Sequence, residues 1–299
     1  MKRVLWTATV LFSLVTARAG AQTTIDETHS AAEHGIVSIR NVSGFVHVTG
    51  WSQKNVRVKG TLGPGVKRLN FEREEDRTRI EVEVPDHIHD GKVNGKSIEA
   101  QLEISVPEGS AVRVDGVNIE IGVGGVNGEL ELQSVNGSVT VSGEPDEVKV
   151  STVNGTITLN TGARKTHLET VNGSIEVTGG KGELEAACVN GHIEVRDGTF
   201  DEASCSTVSG DTVWRATLAS RSSLSLETHS GSITLELPRS TSAEFDVTTF
   251  SGKIANGLGP EAKRSSEYGP GYELHFDLGS GASKIDVSSF SGDVTIRAR

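Results

Sequence analysis

Apolar and polar residues alternate in short runs along most of this chain, and the runs recur at a fixed interval. Val-Asn-Gly stands at Val135–Gly137, Val153–Gly155, Val171–Gly173 and Val189–Gly191, eighteen residues apart each time. One period earlier lies Val117-Asn118, with Ile119 in place of Gly, and an extra copy sits at Val126–Gly128. Downstream the motif drifts to Val208-Ser209-Gly210, His229-Ser230-Gly231, Phe250-Ser251-Gly252 and Phe290-Ser291-Gly292, and Val42-Ser43-Gly44 is an early outlier.

The flanks repeat as well. Counting from the residue before Asn/Ser-Gly as zero, apolar residues fall at minus five and minus three (Val148 and Val150, Leu224 and Leu226) and at plus four and plus six (Val139 and Val141, Ile175 and Val177). Minus one is mostly a hydroxyl residue: Thr152, Thr170, Thr207, Thr228, Thr249, Ser289. Spacing of two is the signature of a strand with one buried face. Each unit therefore reads as strand, corner, strand, turn.

Two folds carry such a unit. In an antiparallel meander each Asn-Gly is a tight hairpin turn. In a β-solenoid, parallel β-helix-like, each unit of about 18 residues is one coil, and equivalent residues stack ~4.8 Å apart. The exact period and the recurrent Thr favour the solenoid, because stacking rewards identity at every position. The expected fold is all-β. Asn118, Asn136, Asn154, Asn172 and Asn190 are expected to form a side-chain amide ladder. Gly beside them is expected to turn the corner with positive φ.

Regular coils are expected over residues 111–299, interrupted by a loop near 256–271 that carries Lys263, Arg264, Glu267 and Tyr268. Residues 22–110 read as an irregular β region or cap, which an open solenoid end needs. Residues 1–21 have a basic start, an apolar run from Val4 to Val15 and Ala19-Gly20-Ala21, the pattern of a secretory signal peptide cleaved near Ala21. That run is too short for a membrane span. The mature chain is expected in the periplasm, outside the cell or at its surface.

Composition supports this outline. Aromatics are 4% of the chain and Met occurs once, while Gly numbers 35, which argues against a helical bundle. The formal charge is -11, so no nucleic-acid partner is expected. Losing Lys2, Arg3 and Arg18 from its 29 basic residues brings the mature chain to about -14.

The Val-Asn-Gly-Ser-Ile-Glu-Val unit, with its upstream apolar-x-apolar-x-Thr, resembles a bacterial family of proposed adhesins with β-strand repeats, itself similar in look to the auto-transporter adhesin head domain. The resemblance runs from about Ile36 to Ile296 and includes Trp51, Val56-Arg57-Val58 and Leu102–Pro107. It implies an envelope β-solenoid with no established enzymatic activity. Unlike a true autotransporter, the chain is not expected to carry a membrane-barrel segment of alternating apolar strands.

Candidate chemistry is sparse. Asp86-His87-Ile88-His89-Asp90 combines imidazoles and carboxylates, the donor types of zinc, but no third distant ligand accompanies them, and a solvated loop explains them as well. Cys188 and Cys205 sit diagonally on adjacent units, inward-facing, with Cα atoms ~8 Å apart, which favours two thiols over a disulfide. Glu169, Glu176, Glu183, Glu185 and Glu194 fall mostly outward, as a solubilising surface or a cation- or glycan-binding face. No Gly-x-Ser-x-Gly elbow and no calcium repeat occur. No cofactor is expected. The reading is a non-enzymatic surface module binding an envelope protein, a glycan or its own kind through a solenoid end; a carbohydrate-active β-helix enzyme is the alternative.

Overall fold

The computed structural model describes residues 22–87, 89, 91–266 and 269–299. The leader 1–21 lies outside them. Among the described residues all regular elements are β-strands, twenty-five in number, and twenty-three form one continuous sheet. None is a helix long and apolar enough to cross a membrane.

Repeat units pair in parallel, not as antiparallel hairpins. Leu130 stands opposite Val148, Val148 opposite Thr166 and Thr166 opposite Leu184. On the far side of the corner, Val139, Ile157, Ile175 and Ile193 are successive partners. Each partner is eighteen residues on, as the period demands. Every unit thus contributes one strand to each of two ribbons that meet at the Asn-Gly corner. Side chains at the minus-five, minus-three, plus-four and plus-six positions point between the ribbons. Val148, Val150, Ile157, Leu159 and Ile175 are fully buried there. A core this narrow suits Val, Ile and Leu, each contributing ~1.5–3 kcal/mol on full burial.

Both ends depart from sequence order. Ile36–Trp51 pairs along most of its length with Ala111–Gly124, although 75 residues separate the partners. Its other edge takes Arg77–Glu81 and Ala100–Pro107, also in parallel. Antiparallel strands then close this end: Arg68–Glu74 on Arg77–Glu83, Asn55–Leu62 on Ala100–Pro107, and Thr23–Ser30 on Asn55–Leu62.

At the other end the last repeat in sequence is not the last in space. Ser283–Ser291 lies between Ser223–Ser230 and Ala243–Ser251. Val294–Ala298 likewise lies between Ile233–Leu237 and Ile254–Asn256. The terminal arginines fold back on this sheet: Arg297 pairs with Glu236, and Arg299 donates to the carbonyl of Arg215 at 2.7 Å. Beyond the late loop, Phe276 and Leu278 belong to Tyr272–Leu278, an antiparallel strand covering Ala243–Thr249 and not a further repeat.

Candidate functional site

Strand alternation has a consequence at the corner. Minus five, minus three and minus one face inward, so position zero must face out. It is nevertheless apolar. Val117, Val135, Val153, Val171, Val189, Val208, Phe290 and Phe250 are each 40–52% exposed. With His229 between Val208 and Phe290, they form one continuous stripe along the stack. A groove of about 940 Å³ follows the stripe from Val153 to Phe250.

Two columns of bonds and a column of glycines hold the corner beneath this stripe. Asn136, Asn154, Asn172 and Asn190 each donate Nδ2–H to the Oδ1 of the preceding Asn, at 2.7, 2.8, 2.9 and 2.9 Å, starting at Asn118. At minus one, buried hydroxyls donate to a carbonyl of the neighbouring unit: Thr170 to Gly155 at 3.2 Å, Thr228 to Gly210 at 3.3 Å, Thr249 to Gly292 at 3.0 Å. The glycines are required by close approach. A Cβ on Gly173 would collide with the carbonyl oxygen of Gly155, and one on Gly210 with that of Gly191. Positive φ is not the common reason, since Gly155 and Gly173 do not adopt it.

The amide ladder stops at Asn190, where Ser209 follows. Beyond it rings replace amides. His229 stacks on Phe290 at 4.8 Å between centroids, and Phe290 on Phe250 at 4.9 Å. The rings lie within 10° of parallel.

The groove wall at minus two is a column of Ser151, Glu169, Ala187, Ser206, Glu227, Ser288, Thr248 and Glu273, each opposite the next. Its charged members are carboxylates, and the groove lining holds no Lys or Arg among the described residues. Glu169 accepts from His167 Nε2 at 3.0 Å.

Residues 37–297 match the family described as Toastrack DUF4097. The chain belongs to the Toastrack DUF4097 family. Similar solved structures include a proposed cell adhesion protein from Clostridium sporogenes, 12% identical over 92% of this chain and 100% of that one, with a TM-score of 0.25. A proposed adhesin from Bacteroides fragilis is 12% identical over 94% and 99%, at a TM-score of 0.43. One from Parabacteroides merdae is 10% identical over 92% and 96%, at 0.45. No curated protein matches the sequence.

The other sequence candidates of this Toastrack chain lie away from the groove or beneath it. Asp86, His87 and His89 are exposed in a loop, with His89 bridging to Lys92; Asp90 lies outside the described residues. Among the described residues no three His, Cys, Asp or Glu are grouped to hold a metal ion. Cys188 and Cys205 are buried free thiols. Cys188 occupies a minus-one position and donates to the Gly173 carbonyl at 3.1 Å, as Thr170 does one unit earlier. Burial pushes the Cys205 thiol up to about 12.

Glu169, Glu183 and Glu185 are exposed and Glu176 is partly exposed, whereas Glu194 is held between Arg196 and Arg215. Arg215 also reaches Glu236 at 3.0 Å. The hydrogen bond from Arg297, aided by Arg215, holds the Glu236 carboxyl below the usual glutamate value. In the late loop, Lys263 and Arg264 pair with Glu273 and Tyr272, and Arg264 lies 5.8 Å from the Tyr272 ring centroid. Glu267 and Tyr268 lie outside the described residues.

Position zero is the candidate surface that motif spacing alone does not single out. Its parity relative to the buried positions marks it as outward, and its recurrence as Val or Phe gathers the exposed apolar side chains into one line.

Proposed function

We propose that this chain is an exported, non-enzymatic binding module of the cell envelope, built as a β-solenoid of about 18-residue coils, with the corner stripe as its recognition surface. One observation carries the reading: a column of half-exposed Val and Phe, with His229 its one polar member, along a groove. Contiguous exposed apolar surface is uncommon on solitary proteins and marks interaction sites. Covering each zero-position side chain is worth on the order of 1 kcal/mol at ~25 cal/mol per Å², so affinity accumulates along the stack. The parallel register at an offset of eighteen supports the solenoid reading. The leader-like start supports export.

The test is retention of envelope components on the immobilised mature chain. Val171→Asp and Phe290→Asp together should abolish retention, while Lys149→Asp, outward but away from the groove, should leave it unchanged. Equal retention by both variants, or glycan turnover abolished by a single Asp or Glu substitution, would overturn the reading.

A further inference from the structure

The groove has a charge pattern as well as an apolar floor. In the minus-two column the carboxylates are Glu169, Glu227 and Glu273, each the third strand on from the one before. Three strand spacings place neighbouring carboxylates about 14 Å apart. Between them stand Ser206, Ser288 and Thr248, with Ala187 the one apolar member of that interval. Glu169 is held by His167 at 3.0 Å, Glu273 stands opposite Lys263 on the neighbouring strand, and Glu227 lies between them with a serine on either side.

An extended polypeptide advances ~3.3 Å per residue, and its side chains return to one face every second residue. Residues four apart therefore share a face and lie about 13 Å apart. The stripe from Val153 to Phe250 crosses six strand spacings, about 29 Å, the length of roughly nine extended residues. An anionic amphiphile such as a fatty acid would instead bring negative charge beside three carboxylates in a groove whose described lining holds no Lys or Arg.

We infer that the occupant of the groove is an extended polypeptide segment with apolar side chains and a lysine or arginine about every fourth residue. This rests on the stripe being the recognition surface. The apolar side chains of the segment cover the Val and Phe column. Its cations meet Glu169, Glu227 and Glu273 in turn, which fixes register along an otherwise repetitive track.

The test uses the mature chain and a labelled synthetic peptide of roughly 12 residues, long enough to span the stripe. Serine occupies every second position, and leucine and lysine alternate between the serines. A second peptide carries glutamate for lysine, and labelled palmitate is the amphiphile control. Fluorescence anisotropy should show the lysine peptide binding at least ~10-fold tighter than the glutamate peptide, with affinity falling as salt rises. Glu227→Gln with Glu273→Gln should weaken the lysine peptide roughly 5-fold and leave the glutamate peptide no weaker. Phe250→Ser with Phe290→Ser should weaken both peptides. Circular dichroism and the melting temperature check that each variant stays folded.

If both peptides bind alike and the glutamine variants change nothing, the charge inference fails while the stripe reading stands. If a peptide binds and the serine variants bind it as well as the parent, the stripe reading fails. No binding of the lysine peptide, or palmitate binding tighter than it, overturns the proposal.

Discussion

The units from Val117 to Asn190 and those from Val208 to Phe290 build the same corner by different means. In the first set, amide groups bond in a column and period eighteen is strict. In the second, Ser replaces Asn, the corner motifs stand farther apart, and rings stack at the surface. Carboxylates take over part of the bonding there: Asp211 accepts from the Ser232 N–H and Asp293 from the Lys253 N–H, both at 2.8 Å. Three features are common to both sets: the inward aliphatic positions, the minus-one hydroxyl bonded to a neighbouring carbonyl, and the glycine packed against its neighbour's carbonyl. The backbone path is therefore set by what lies inside and by close approach, while the outward corner is free to change chemistry.

The largest expected effect concerns the shared interior. Ile175→Asp should cost more than about 4 kcal/mol in urea unfolding, because it buries a charge without a partner in a narrow core. Glu176→Lys, one residue along, should change stability by less than ~0.5 kcal/mol. Equal losses would show that the facing assignment is wrong.

Next come the glycines. Gly173→Ala in the amide half and Gly210→Ala in the other should each cost about 1–3 kcal/mol, since both force a methyl group into a carbonyl. Tolerance at Gly210 alone would mean that the two halves do not share a backbone path. The amide column itself is worth less. Asn154 donates to Asn136 and accepts from Asn172, and Asn154→Ala should cost ~1 kcal/mol. Ser230→Ala, at the matching place among the rings, should be near neutral, and a similar loss there would remove the distinction.

Acid should act on the late half first. The folded-state pKa of Glu236 lies below its ordinary 4.5. Its stabilising contribution is full above 4.5 and is lost as pH falls through that depressed value. Glu236→Gln should flatten this acid limb of stability, and an unchanged limb would assign it to other carboxylates. The smallest effect is chemical. With its thiol pushed up to about 12 and fully buried, Cys205 should resist a thiol reagent at neutral pH until the chain unfolds. Prompt labelling of both cysteines in folded protein would show that the core opens there.

Much of this was legible from residue spacing, because a period of eighteen with a two-residue alternation leaves few ways to bury Val148, Val150, Ile157 and Leu159 together. The inward direction of Cys188 and Cys205 follows from the same parity. What spacing does not encode is which repeat neighbours which once the interval lengthens. Ser283–Ser291 has a motif equivalent to Ala243–Ser251, and nothing local says which of them sits against Ser223–Ser230. The antiparallel strand Tyr272–Leu278 has the same alternation as a parallel one, so Phe276 and Leu278 alone do not tell it from a further repeat. The groove is hidden for a different reason: Val is common enough in strands that an outward one carries no signal until six of them and two Phe line up.

The placement of Ser283–Ala298 also sets a schedule. A chain emerging from its amino end can lay down the Asn-bearing units one upon another, each against a neighbour made moments earlier. The ring-bearing portion has to wait, because Phe250 meets its stacking mate only after forty more residues exist and fold back beneath it. A product clipped before Ser283 would keep its amide half yet lose the ring column, and half the track with it.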